Sequence, residues 1–126
     1  MSGKRVLLIE DDVKIAQIVQ RGLHLKGLEV VVAEDGVAGR AAWRDGAFDL
    51  VLLDVMLPEL DGITLCAEQR RAGDTTPVIM LTARSEEEVR ARSAAAGANG
   101  YISKPFAYAE LVQAIFRCLP PPTPAD

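Results

Sequence analysis

Short runs of branched apolar residues recur along this chain, and each stops at a polar residue or a turn signal. They are Val6-Leu7-Leu8-Ile9, Leu50-Val51-Leu52-Leu53, Val78-Ile79-Met80-Leu81 and the shorter Tyr101-Ile102, with Leu28 to Ala33 as a further stretch of strand type. Apolar runs of this length, without polar alternation, describe strands covered on both faces, the habit of a parallel sheet. The predicted strands are residues 5–10, 28–33, 49–54, 77–82 and 100–103. Helical spacing fills the gaps between them. Asp11 or Asp12 can cap the first helix, on which Ile15, Ile18, Val19, Gly22 and Leu23 form an i, i+3, i+4, i+7, i+8 stripe closed by Gly27. Gly36 to Arg44 carries Val37, Ala41 and Trp43, and Ile63 to Ala72 follows the third strand. Ser85 can cap a helix running to about Ala96, and Tyr108 to Leu119 turns Leu111, Ala114, Ile115 and Cys118 inward. Alternating strands and helices imply right-handed crossovers with helices on both faces, hence a doubly wound five-stranded α/β fold.

Bulk properties narrow the function classes. A chain of 126 residues, 49% hydrophobic and 25% charged, suits one globular domain. A net charge of -4 argues against nucleic-acid binding by this segment, because phosphate contacts need clustered Lys and Arg. No apolar stretch approaches the ~18 residues of a membrane span. The start, Met1 to Arg5, leads into a strand without room for a secretory signal, so the expected location is cytoplasmic. Cys66 and Cys118 fall on separate helices and read as small buried hydrophobes. Residues 1–119 are expected to form the domain. The proline-rich residues 120–126 read as extended tail, either a natural end or the start of a spacer.

The ends of the strands carry the chemistry. Asp11 with Asp12, Asp54, Thr82 and Lys104 each follow an apolar run. In an open parallel sheet those carboxyl ends line one crevice, where ligands bind. Carboxylates gathered there repel by roughly 4 kcal/mol per pair at 4 Å with an effective dielectric near 20. A hard divalent cation relieves this, and Mg²⁺ takes one or two carboxylates plus water and phosphate oxygens. Asp54 is the candidate nucleophile, since a carboxylate can attack phosphorus and form an acyl phosphate. Lys104 supplies positive charge for phosphoryl oxygens and can hold Asp54 before reaction, while Thr82 offers a hydroxyl. Lys104-Pro105, closing a strand beside a pocket, suits a cis peptide.

These segments resemble the receiver domain of two-component response regulators. The resemblance rests on Val6-Leu7-Leu8-Ile9-Glu10-Asp11-Asp12, Leu52-Leu53-Asp54-Val55-Met56-Leu57-Pro58 with Asp61-Gly62, Pro77 to Ala83, and Gly97 to Phe106, in order over residues 4–119. It implies a flavodoxin-like (βα)5 fold with strand order 2-1-3-4-5. It implies Asp54 as phosphoacceptor, Asp11 and Asp12 as the acidic pair for Mg²⁺ beside Asp54, and the Met56 carbonyl as a further ligand. It also implies Thr82 and Lys104 as phosphoryl contacts and Tyr101 as an aromatic switch. The donor would be the phosphohistidine of a sensor histidine kinase or phosphotransfer protein. The output would be a changed face of the fourth helix, fifth strand and fifth helix, read by an output domain or partner. Asn99 and Gly100 stand where many winged-helix regulators carry an acidic pair, which weakens a salt-bridged dimer through that face.

Two other classes compete with the phosphoacceptor switch, which turns over no external substrate. A haloacid-dehalogenase-type phosphohydrolase needs an acid/base Asp two residues after its nucleophile, where this chain has Met56, and a covering cap. An interaction module on the same fold has no use for a complete acidic site. The helix after Thr82 has Val89 as its large apolar residue, so it should dock weakly.

Overall fold

The computed structural model describes residues 3–83 and 86–119. Strands and helices alternate as β1 (Arg5–Ile9), α1 (Val13–His24), β2 (Glu29–Ala33), α2 (Gly36–Asp45), β3 (Leu50–Asp54), α3 (Gly62–Arg71), β4 (Val78–Thr82), α4 (Glu87–Ala95), β5 (Gly100–Ser103) and α5 (Tyr108–Cys118). All strand pairs are parallel, in the order β2-β1-β3-β4-β5. Both the element pattern and the order agree with the sequence reading. The Ser85 cap lies outside the described residues. Among the described residues, no helix is long and apolar enough to cross a membrane.

Side chains alternate across the sheet and build two cores. Val6, Leu8, Leu52, Ile79 and Leu81 face α1 and α5, where they meet Val19, Leu23, Leu111 and Ile115. Leu7, Ile9, Val51, Leu53 and Met80 face the other helices and meet Trp43, Leu65, Cys66 and Val89. The three central strands are buried along their whole apolar lengths, as their uninterrupted branched runs require.

Register positions the functional edge. Ile9 lies beside Leu53, Asp54 beside Leu81, and Thr82 beside Ser103. The residues that project past these rungs are therefore Glu10, Asp54, Thr82 and Lys104. The Lys104 N–H donates to the Thr82 carbonyl at 2.8 Å, which ties the last two together.

The helices differ in how they are held. On α1 the buried line is Ala16, Val19 and Leu23, and Ile18 is 66% exposed, contrary to its place in the expected stripe. Ile18 sits about 100° around the helix from Val19, beyond the flank that reaches the sheet. On α2, Val37 is exposed, while Gly36, Gly39 and Trp43 are buried. The start of α5 lacks a side-chain cap at Ala107, as its sequence implies. Tyr108 compensates: its hydroxyl donates to the Gly22 carbonyl at 2.7 Å, and its ring occupies the space a Cβ on Gly22 would need. Val112 is half-buried and Leu119 buried, whereas Phe116 is 48% exposed.

Gly39 lets α2 lie close on β1, since a Cβ there would fall 2.6 Å from the Ile9 side chain, itself fully buried. Alanine is the better helix former by about 1 kcal/mol. Overpacking a buried site costs about 1–3 kcal/mol and should win. Gly39→Ala is therefore expected to lower the urea midpoint followed by circular dichroism. A raised midpoint would show that Ile9 yields freely.

Candidate functional site

Three strands deliver charged side chains to one point at the carboxyl edge. Asp54, the last residue of β3, is almost fully buried. Its Oδ1 accepts the Met56 N–H at 2.9 Å, and its Oδ2 lies 3.0 Å from Lys104 Nζ. Lys104, just past β5, also brings Nζ within 2.6 Å of Glu10 Oε1. One ammonium thus serves two carboxylates. The Lys104–Pro105 peptide is cis, in line with the sequence expectation.

Glu10, Asp11 and Asp54 each present a carboxylate oxygen within 4.8 Å of the others. Glu10 and Asp54 are buried, and Asp11 is exposed. Oε1 of Glu10 contacts Lys104 as an ion pair without the alignment of a hydrogen bond, so it retains acceptor capacity. Its Oε2 accepts the Asp12 N–H at 3.0 Å. Three hard oxygen donors, two of them buried, fit a small divalent cation better than soft or imidazole-seeking metals.

The sequence-predicted residues separate here. Asp11, Asp54 and Lys104 converge on the site, with Thr82 buried at the adjoining end of β4. Asp12 does not join the carboxylate cluster. Its Oδ1 accepts the Ile15 N–H at 3.1 Å and caps α1. Glu10 stands in the cluster instead, a residue the sequence reading passed over. Register decides it: with Ile9 beside Leu53, the residue beside Asp54 is Glu10. Met56 follows Asp54 with its side chain about half exposed. Tyr101, on β5, is half-buried, and the Arg90 guanidinium of α4 lies 4.9 Å above its ring.

Burial dominates the charge state of Glu10. It pushes the carboxyl up from 4.5 to about 7, against the lowering effects of Lys104 and the Asp12 N–H, with Asp54 adding repulsion. The Lys104 ammonium is held above its ordinary range, because both carboxylates favour its charged form and outweigh desolvation.

The linkage has a definite sign. A carboxyl whose folded pKa is raised contributes stability that is full below about 4.5 and is lost as pH rises through about 7. Glu10→Gln removes that dependence. The stability of the native chain relative to the variant should fall between about pH 4.5 and 7, on the order of 1–3 kcal/mol, in urea titrations without divalent metal. A flat difference across that window would mean Glu10 stays ionised.

Comparison with known proteins follows the same lines. The family model for the response regulator receiver domain matches residues 6–116. The Bacillus subtilis transcriptional regulatory protein YkoG is 39% identical over 119 residues, covering 94% of this chain and 52% of that protein. The chain spans about half the length of the curated relatives it matches. Among solved structures, the receiver domain of Francisella response regulator 1452 superposes with a TM-score of 0.88 at 32% identity, covering 92% of this chain and 96% of that one. The Vibrio cholerae chemotaxis protein CheY4 does so with a TM-score of 0.88 at 31% identity, covering 94% of this chain and 100% of that one.

Proposed function

The chain belongs to the response regulator receiver domain family, and from that membership we propose that it is a phosphoacceptor switch phosphorylated on Asp54. The observation that carries this reading is the Lys104 ammonium shared between Asp54 at 3.0 Å and Glu10 at 2.6 Å, on the edge where β1, β3, β4 and β5 end. It places one positive charge between two buried carboxylates, where phosphoryl oxygens would arrive.

The donor is the phosphohistidine of a sensor histidine kinase or phosphotransfer protein. An Asp54 carboxylate oxygen attacks phosphorus, the P–N bond breaks, and the imidazole leaves with the electron pair and gains a proton. The product is an acyl phosphate on Asp54. Lys104 moves from neutralising the carboxylate to neutralising a phosphoryl oxygen, and the Thr82 hydroxyl supplies a further contact. Glu10, Asp11 and Asp54, with the Met56 carbonyl, would hold Mg²⁺, with Glu10 in place of Asp12, whose carboxylate is engaged at the helix cap. When bound, the metal supplies positive charge to the transferring phosphoryl group.

Acid/base turnover of an outside substrate has no residue assigned to it, so the chemistry is confined to self-phosphorylation and self-dephosphorylation. Residues 1–119 act as the receiver unit, and residues 120–126 as its tail or the start of a linker. The output is a changed α4–β5–α5 face, through Thr82 and Tyr101, presented to an output domain or partner protein. Neither nucleic acid nor membrane is engaged by this segment, and its setting is the cytoplasm.

Acetyl phosphate with Mg²⁺ should add one phosphoryl group by intact-mass spectrometry to the native chain and none to Asp54→Asn. Equal modification of both proteins would remove Asp54 as acceptor. Loading should weaken as pH falls below about 7, because Glu10 must be ionised to bind the metal. Thr82→Ala should still accept the group yet leave hydrogen exchange in α4 and β5 unresponsive to it. A response equal to that of the native chain would remove Thr82 from the switch.

A further inference from the structure

The loop that follows Asp54 is seated between two helices by glycines. Gly62 opens α3, and a Cβ on it would overlap the Asp54 carbonyl oxygen, lying 3.0 Å from the carbonyl carbon and 3.1 Å from Leu53 Cγ. Ordinary contact begins near 3.4 Å. The φ of Gly62 lies outside the left-handed region, so the position requires space and not conformational freedom. Two of the three neighbours are backbone atoms at the end of a fully buried strand, and no rotamer change clears them. Gly36 does the same from the other side: a Cβ on this first residue of α2 would overlap the Leu60 carbonyl oxygen.

Several bonds hold α3 in that seat. The Gly62 N–H donates to the Val55 carbonyl at 3.0 Å, and the Leu57 N–H reaches the same carbonyl at 3.2 Å. Asp61 caps the helix: its Oδ1 accepts the Thr64 N–H at 2.8 Å and its Oδ2 the Thr64 hydroxyl at 3.0 Å. Between these contacts Glu59 adopts φ 69°, the one positive φ outside glycine among the described residues. The chain bears that strained turn to bring Gly62 back onto Asp54. Asp54 is thereby held twice. Its carbonyl lies under the first turn of α3, and its Oδ1 accepts the Met56 N–H at 2.9 Å.

We propose that Gly62 is a positioning residue for Asp54: its bare backbone seats α3 on the Asp54 peptide, and that seat fixes the direction of the acceptor carboxylate. Gly62 acts through the Asp54 backbone. The proposal rests on the reading of Asp54 as the phosphoacceptor. A methyl group at position 62 leaves the chain two escapes. In one, α3 lifts, the Gly62–Val55 bond stretches, and the loop that carries the Met56 N–H loosens. In the other, the Asp54 peptide turns and takes the carboxylate with it. Either escape misaligns the attacking oxygen, and a displacement of about 1 Å at a reacting centre costs on the order of 100-fold in rate.

The rate of acetyl phosphate modification with Mg²⁺, followed by intact-mass spectrometry, tests the seat. Gly62→Ala should be modified about ten- to hundredfold more slowly than the native chain. Its Met56 amide proton should move upfield in a ¹H–¹⁵N spectrum taken without phosphoryl donor, as the bond to Asp54 Oδ1 weakens. Trp43→Phe, which loses the indole bond to Asp74 ahead of β4, should lose stability and keep the native rate. Asp61→Ala, which uncaps α3 but keeps Gly62, should slow modification about two- to fivefold. Asp61→Asn, which still caps, should restore the native rate. The Asp61 pair decides the matter if Gly62→Ala does not fold. A native rate in Gly62→Ala or in Asp61→Ala, or equal slowing in Trp43→Phe, would overturn the proposal. If the native chain is not modified at Asp54, the phosphoacceptor reading fails by itself, and the Met56 amide signal still decides whether Gly62 directs the carboxylate.

Discussion

One ammonium between two buried carboxylates organises the functional edge of this molecule. At an effective dielectric near 20, two bare carboxylates 4 Å apart repel by roughly 4 kcal/mol. Lys104 offsets that repulsion by pairing with both, while burial raises the Glu10 carboxyl to about 7. The arrangement depends on register. With β1 and β3 aligned so that Ile9 meets Leu53, and β4 and β5 so that Thr82 meets Ser103, the residues that follow β1 and β5, Glu10 and Lys104, converge on Asp54. The buried apolar runs fix that register, because a slip of one residue would turn every core side chain to the opposite face.

The fold was legible because its determinants are local. Uninterrupted branched runs report burial on both faces, and Gly27 and Gly97 close their helices at φ 85° and 107°. The placement of Asp11, Asp54, Thr82 and Lys104 together was legible, because they stand at strand ends. It was not legible for Glu10. Three successive acidic residues close the first strand, and choosing among them needs the partner strand's register, a long-range fact. Asp12 is both a good cation ligand and a good helix cap, and composition does not say which use prevails. Ile18 shows the same limit on a helix: spacing places it beside the apolar stripe, but where the sheet ends decides whether the flank is covered. Tyr108 and Gly22 are 86 residues apart, and neither alone predicts that one fills the space the other leaves.

The helices differ in how much apolar surface they bury. Around the α1–α5 face, Val19, Leu23, Leu111 and Ile115 bury large apolar side chains worth roughly 1.5–3 kcal/mol each. On the other side, among the described residues, α4 contributes Val89 as its large buried apolar side chain. Burying little lets an element shift without dismantling the core, and such elements sit at the low end of local stability. Asn99 contributes by using its carboxamide as an extra rung between β4 and β5, accepting from Val78 as a strand carbonyl would. The position that carries an acid in many winged-helix regulators here closes a ladder.

Trp43 has an optical consequence. It is the chain's single tryptophan, it is 2% exposed, and its Nε1 donates to Asp74 Oδ2 at 3.1 Å. Asp74 precedes β4, so the indole sits by the amino edge of the sheet, across the molecule from the carboxylates. Its emission is therefore remote from Asp54, the proposed acceptor, and a witness to loss of the core. A fluorescence titration with a phosphoryl mimic would be silent in a fully working protein, while the same lamp and cuvette would follow its unfolding cleanly.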